Sequence, residues 1–377
     1  MDFKKRIIHY IGWIGNQNVG DDASYNVIQS IFSKYRFIPL HQKPTKIMKT
    51  LRHVSPQISF FGGGTLLPHV AAIVKPARYN YAFGVGVRNP SFWGEFDSVV
   101  IDRMRSFEFR FLGVRDNVSK ALLERWGLES EVIGDPCLNL GVGLHKKRYE
   151  KRVAINIGSD GLLWGNNEEN VLREVNKFTK TLKSKGYQVM LIPFWKENVP
   201  YIRKLAASSG AEVFREWFNF DLLLEFIATC KIFIGEKLHS LVFSAAVGTP
   251  FICLEYRPKC FAFSETVGFA EYCIRTDEIT ADKILMKFEN LLSNYQKKQR
   301  ELIRIVEKLR EKQRNFATQI INDIDSLPNG EPLKRNKLVK IRDKMLWNID
   351  VFLNSNFFNV WKCWNKLFFL HMIRYLK

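Results

Sequence analysis

The sequence predicts an α/β protein of two doubly wound, Rossmann-like domains followed by a C-terminal helical extension. Three observations predict it. Short apolar runs of strand character alternate with amphipathic helical periods, and each run empties into glycine plus a polar residue. The alternation stops at a charged segment, His145 to Arg152, and restarts beyond it. Finally, Lys231–Phe263 reads as strand, turn, helix and strand, the repeating unit of a parallel sheet. The boundaries are 1–145 for the first domain, 151–327 for the second with its closing helix, and 331–377 for the tail.

The first domain opens with a buried strand, Lys5–Trp13, that runs into Gly15-Asn16-Gln17-Asn18-Val19-Gly20-Asp21-Asp22, with a helix expected from about Ala23. This strand–glycine loop–helix entry lacks GxGxxG and a Walker lysine, so spacing alone is weak evidence for phosphate. Asp21 and Asp22 read equally as helix caps or as strand-edge carboxylates suited to general-base work. Ile58–Phe61 is a strand ending in Gly62-Gly63-Gly64-Thr65, and Tyr81–Val85 another, ending near Arg88. Arg110–Gly113 ends in Val114-Arg115-Asp116 before a helix over Val118–Trp126, and Glu131–Ile133 runs into Gly134-Asp135-Pro136. Arg115 and Asp116 read either as a local ion pair capping that helix or as a ligand arginine.

The second domain repeats the theme. Val153–Ile157 is a strand with the loop Gly158-Ser159-Asp160-Gly161, Asn170–Lys185 a helix, Gln188–Ile192 a strand, and Phe220–Cys230 a helix. Lys231–Ile234 then leads through Gly235-Glu236 into Lys237-Leu238-His239, which opens a helix, and Phe251–Glu255 follows with a loop carrying Tyr256, Arg257 and Lys259. Lys237 and His239 therefore stand at the carboxyl edge of a strand, where ligands of open α/β sheets bind. A helix N-terminus there favours an anion. Ile279–Leu327 reads as helical throughout, packing on its own domain or bridging back to the first.

Charge narrows the partners. Fifty-seven Lys and Arg against 38 Asp and Glu leave a formal +19, which suits an anionic substrate or surface. No recognisable nucleic-acid module is present, so nucleic acid is not expected. The six cysteines form no CxxC pair and several sit in apolar strands, pointing to buried thiols in a reducing cytosol. The N-terminus lacks an apolar run of signal-peptide length, and no run reaches the ~18 residues of a membrane span. Glu331–Lys377 differs in character. Leu346, Ile349, Leu353, Phe357, Val360, Trp364 and Leu367 recur at steps of three and four, with Asn348, Ser355, Asn359, Lys362 and Lys366 opposite. A basic, aromatic amphipathic helix of this kind suits an anionic membrane surface; packing on protein, its own or a twin subunit's, is the alternative.

Taken as a set, six segments resemble the polysaccharide pyruvyl transferase family: Gly15–Ala23, Phe60–Leu67, Phe83–Val87, Gly113–Gly127, Gly134–Leu138 and Lys237–Phe263, in the family's order. The resemblance implies a two-domain GT-B-like fold, no metal and no cofactor, with phosphoenolpyruvate as donor. It implies transfer of a pyruvyl group onto two hydroxyls of one sugar, leaving a cyclic ketal and phosphate. The family's Arg-Leu-His motif falls on Lys237-Leu238-His239, and the arginine of its Val-Arg-Asp motif on Arg115; those positions contact the donor. Lys237 departs from the usual arginine, keeping charge but losing the bidentate fork.

On this reading His239 is the candidate general acid, since imidazole titrates near neutrality, and Asp21 or Asp22 takes the hydroxyl proton. Arg115, Lys237, Lys259 and Arg257 supply cations to the donor, and Asp135 can orient one of them. Asn18, Gly63, Gly64 and His69 are the acceptor-side candidates. The expected acceptor is a saccharide of a bacterial surface polysaccharide or its polyprenyl-diphosphate-linked precursor, met at the inner face of the cell membrane through the tail. A homo-oligomer stays open. Two rivals stand beside this reading: in the same fold, a glycosyltransferase using a nucleotide-sugar; and, of a different class, a non-catalytic relative serving as a binding or scaffold subunit on the membrane.

Overall fold

The computed structural model describes residues 6–40, 57–71, 73–144, 146–158 and 161–328. The proposed amphipathic tail, Glu331–Lys377, and the Ser159-Asp160 part of the first loop of the second domain lie outside the described residues.

Two parallel sheets carry the molecule. The first contains β1 (Ile7–Ile11), β2 (Arg36–Leu40), β3 (Ile58–Gly62), β4 (Thr65–Leu67), β5 (Tyr79–Val87), β6 (Phe111–Val114) and β7 (Glu131–Val132), ordered β2-β1-β3-β5-β6-β7 with β4 beside β5. The second contains β8 (Arg152–Asn156), β9 (Gln188–Leu191), β10 (Glu212–Val213), β11 (Ile232–Gly235), β12 (Phe251–Glu255) and β13 (Cys273–Arg275), ordered β10-β9-β8-β11-β12-β13. Counted within its own domain, the second order is 3-2-1-4-5-6, that of dinucleotide-binding sheets. Strands such as β3, β11 and β12 are buried at every position, because helices cover both faces of a parallel sheet. The strand order reverses beside β1 in the first sheet and beside β8 in the second. Each reversal opens a crevice at the carboxyl edge.

The cores follow from this layering. Ile8, Tyr10, Phe32 and Phe60 pack on one face of the first sheet, and Phe61, Met104, Phe107 and Leu122 on the other. A single larger cluster fills the second domain and takes in Val19, Ala23, Cys137 and Leu138 from the first. The domains are therefore joined by apolar packing as well as by chain.

Ile279–Leu327 is two helices rather than one, Ala281–Ser293 and Tyr295–Ser326, broken at Asn294, whose side chain bonds back to Asn290 O at 3.0 Å. The second, 32 residues long and so about 48 Å, bridges the domains. Leu302, Val306 and Leu309 sit in the second core, whereas Phe316, Ile320 and Ile324 sit in the first. Buried Arg310 donates to Leu138 O at 2.7 Å and to Ala246 O at 2.7 Å, tying one carbonyl from each domain to the helix.

Candidate active site

The first helix begins at Val19, earlier than its apolar period suggests, because Asn18 caps it by accepting from Gly20 N at 3.3 Å. Asp21 and Asp22 consequently lie inside its first turn, where carboxylates complement the positive helix end. The loop before it grips the second domain: Val19 N donates to Phe194 O at 3.0 Å and Trp195 Nε1 to Asn16 O at 3.1 Å. Between the domains lies a cavity of about 320 Å³. Its walls come from strand ends of both sheets: Trp13, Asn18, Gly64, Arg88 and Arg115 on one side, Trp195, Lys237, Tyr256 and Arg257 on the other.

A buried polar knot forms one side of this cavity. Arg115 is completely buried; its Nε lies 3.4 Å from Asp116 Oδ2 and its Nη1 3.8 Å from Asp135 Oδ2. Asp116 also caps the Asn117–Arg125 helix, accepting from Ser119 N at 2.7 Å. The capping and ligand readings of Arg115-Asp116 thus describe one arrangement, with Asp116 as the cap and Arg115 lining the cavity. Asp135 accepts from Cys137 N through Oδ1, and its Oδ2 lies 3.7 Å from His239 Nε2. Four buried atoms here, Arg115 Nη1 and Nη2, Asp135 Oδ2 and His239 Nε2, have no hydrogen-bond partner among the described residues. Buried polar atoms are nearly always paired, and such a group beside a cavity is a natural place for a ligand.

His239 fits because Gly20 has no side chain: a Cβ there would fall 1.8 Å from His239 Cγ and 1.9 Å from Nδ1. Burial, with Arg115 and Lys259 nearby, holds the imidazole well below its usual pKa, so it is neutral at pH 7. Around Tyr256 three cations gather, Arg257 at 4.9 Å, Lys237 at 5.0 Å and Lys259 at 5.1 Å from the ring centre. An aromatic face attracts each of them, and holds like charges together where water would separate them. Desolvation and the neighbouring arginine bring Lys259 down to about 7. Desolvation brings Asp21 up to about 7 against the pull of Lys259. The cavity therefore holds a carboxyl and an ammonium that both titrate near neutrality.

Of the candidates read from sequence, Asn18, Asp21, Gly64, His69, Arg115, Lys237, Leu238, His239, Arg257 and Lys259 all line this cavity. Asp22 and Gly63 stand apart from the lining. Asp22 accepts from Gly15 N at 2.7 Å and shapes the loop, while Gly63, at φ +61°, leaves room for Ser24. Arg88, Trp93 and Trp195 line the cavity without having been singled out; they lie in short segments between the longer elements, Trp93 closing the one-turn helix Pro90–Trp93, and carry no periodic signal. Asp135, Cys137 and His239 offer three metal-ligating atoms within 4.8 Å of one another. A dication there would face Arg115 across the same carboxylate. The Cys137 thiol is also pushed well up by burial and the Asp135 charge, and contacts Ser24 Oγ at 3.2 Å. The Arg115 guanidinium 3.8 Å away already offsets part of the Asp135 charge, and burial still raises that carboxyl's pKa, both of which weaken the set as metal ligands.

Fold and site define a two-domain α/β protein of the GT-B type with a cationic cleft between its sheets. The chain belongs to the polysaccharide pyruvyl transferase family, whose sequence model, described as "Polysaccharide pyruvyl transferase", matches residues 18–258. The amylovoran biosynthesis protein AmsJ of Erwinia amylovora is 29% identical over 84 residues, 22% of this chain and 20% of AmsJ. The match thus spans about a fifth of AmsJ's length. Among solved structures, the S. aureus MnaA–UDP co-structure superposes with a TM-score of 0.55 at 10% identity, covering 85% of this chain and 96% of that one. The Methanocaldococcus jannaschii UDP-GlcNAc 2-epimerase, solved with UDP-GlcNAc and UDP, gives 0.50 at 11% identity over 81% and 99%. These likenesses are of fold. Among the described residues, no helix is long and apolar enough to cross a membrane.

Proposed function

We propose that this protein is a transferase of bacterial surface polysaccharide synthesis that moves a pyruvyl group from phosphoenolpyruvate onto two hydroxyls of one sugar, forming a cyclic ketal. One observation carries the reading beyond family membership. A completely buried guanidinium, Arg115, makes no hydrogen bond through either terminal nitrogen among the described residues, and neither does the nearby His239 Nε2, on a cleft rich in cations. Phosphoenolpyruvate carries about three negative charges on one carboxylate and one phosphate, and such a ligand satisfies those donors while offsetting the crowding of like charge around Tyr256.

The chemistry then runs as follows. Binding of the trianion raises the affinity of His239 for a proton, and His239 delivers it to the methylene carbon, with Asp135 stabilising the imidazolium. The neighbouring carbon becomes oxocarbenium-like and is attacked by the first sugar hydroxyl, whose proton passes to Asp21. The carbon–oxygen bond to phosphate breaks, the second hydroxyl attacks the same carbon, and the ketal closes. Of the two hydroxyl protons, one is balanced by the new methyl hydrogen and the other leaves with phosphate. Lys237, Lys259 and Arg115 hold the donor, and Asn18, Gly64 and His69 border the space left for the acceptor. The basic tail suits peripheral attachment at the inner membrane face, where a polyprenyl-diphosphate-linked acceptor would be met.

The test is phosphate release from phosphoenolpyruvate against a panel of glycans, together with isothermal titration of the donor. His239→Ala is expected to retain donor binding within about tenfold and lose about 10²–10⁴-fold in turnover. Intact turnover in that variant would remove the assigned role. The second reading, a nucleotide-sugar transferase, draws on Trp13, Trp93 and Trp195, which offer a nucleobase surfaces to stack on. Titration with UDP-sugars alongside phosphoenolpyruvate separates the two.

A further inference from the structure

Resting on the ketal-transfer reading above, we propose that Lys259 is a second proton carrier of this site: its ammonium protonates the phosphate as it departs, and the amine so formed takes the proton of the second sugar hydroxyl. The stoichiometry calls for such a group. Ketal formation makes two carbon–oxygen bonds at one carbon. The first uses the His239 proton for the methylene carbon and the Asp21 carboxylate for the hydroxyl, which leaves the imidazole neutral and the carboxyl protonated. Neither is then in the state that the second bond needs. Phosphate must leave with a proton on the oxygen that bridged it to carbon, and the second hydroxyl must lose one.

The side chains lining the cavity leave a short choice. Arg88, Arg115 and Arg257 carry charge but do not release a proton. His69 is exposed at the acceptor-side rim. Lys237 faces two rings, Trp195 at 4.8 Å and Tyr256 at 5.0 Å, and both favour its charged form. Lys259 is the second residue of the Pro258–Thr266 helix, which follows β12 at the carboxyl edge. Its ammonium stands 5.1 Å from the Tyr256 ring centre, a contact that places the charge and leaves its N–H groups to other acceptors. Lys259 and Asp21 come from opposite domains, line the same cavity and feel each other's charge, yet no salt bridge joins them among the described residues. Opposite charges held apart across a cavity bracket a ligand between them.

Local charge suits the amine to both transfers. Burial, then the Arg257, Lys237 and Arg115 charges, bring it down to about 7, against the opposing pull of Cys260 and, across the cleft, of Asp21. The bound trianion strengthens its hold on a proton, so Lys259 enters the reaction as ammonium. The oxygen released from carbon is far more basic than an amine and takes that proton. What remains is a neutral amine among cations, beside the carbon that the second hydroxyl attacks. The protons balance: each hydroxyl gives one, one replacing the methyl hydrogen that His239 delivered and the other replacing what Lys259 gave to phosphate.

The test runs the reaction in D2O with phosphoenolpyruvate and the methyl glycosides of glucose, galactose and mannose. It reads phosphate release and the deuterium gained by the methylene group of recovered phosphoenolpyruvate. Lys259→Arg keeps a cation for the donor but cannot release its proton. This variant is expected to bind the donor within about tenfold of wild type and to lose about 10²–10⁴-fold in phosphate release. Its first addition still occurs and, blocked ahead, reverts, so recovered phosphoenolpyruvate gains deuterium. Lys259→Ala is expected to lose release as well and to regain part of it with added ethylamine, which a merely structural role would not allow. Release within about threefold of wild type in Lys259→Arg, far less than a proton carrier contributes, overturns the proposal. Loss of deuterium exchange together with release overturns it too. Absence of phosphate release by wild type with all three glycosides would count against the ketal-transfer reading. In that event labelling with acetic anhydride decides: protection of Lys259 by phosphoenolpyruvate supports its place at the departing phosphate, and labelling that the compound leaves unchanged overturns it.

Discussion

Gly20 is where the first helix and the candidate acid meet. Its missing side chain is occupied by the His239 ring, so Gly20→Ala must push the imidazole away from Asp135. A helical alanine is otherwise favourable by roughly 1 kcal/mol, but the clash falls on the root of a buried side chain and overpacking costs about 1–3 kcal/mol, so this variant is expected to melt lower than wild type and to lose about 10²-fold or more in kcat, as expected when a general acid is displaced. Asp21 makes the opposite kind of prediction. Its folded pKa is about 7 against an ordinary 3.8. Between those values the folded state keeps a proton that the unfolded chain has lost, so wild-type stability falls as pH rises through that window and stays low above it. Asp21→Asn is expected to melt higher than wild type at a pH above about 7, with the gain gone near pH 4. The same variant should lose the acid limb of the kcat/KM profile, which in wild type rises through about 7 as the carboxyl ionises.

Among the elements, the 32-residue Tyr295–Ser326 helix does most to hold the cleft in one geometry. Its apolar stripe serves two cores in succession, and its last turns are fastened by the Arg110–Asp323 ion pair and by Tyr81 Oη donating to Asp323 at 2.6 Å. Ile320 is completely buried in the first core, whereas Ile303 is 44% exposed. Ile320→Ala is expected to cost about 2–4 kcal/mol in urea unfolding, and Ile303→Ala about 0.5 kcal/mol or less. Equal effects would mean that the helix does not dock as described. The sequence showed this helix as one amphipathic period from Ile279 and left its partner open. Periodicity reports which face is apolar, not which of two domains that face meets, and the break at Asn294 needs a cap that only the folded chain reveals.

At the scale of the molecule, two sheets present their carboxyl edges to one cleft, and the charge collected there exceeds what either domain contributes alone. The basic tail would add a second address. Deleting Glu331–Lys377 is expected to leave activity on a short soluble acceptor and to abolish sedimentation with anionic vesicles; unchanged vesicle binding by the shortened chain would rule out a membrane role for the tail.

Alternating strand and helix periods, with glycine at each strand end, determined the α/β class and marked Lys237, His239, Arg115 and Asp21 as strand-edge residues, because a strand's end and a helix's start are written in local sequence. Tertiary structure alone decided that these edges converge, that Asp22 turns into its own loop, and that Arg88, Trp93 and Trp195 join the site. It alone brings Asp21 and Lys259 to titrate together near neutrality. Desolvation and cross-domain charge depend on residues far apart in the chain, and no local pattern carries them.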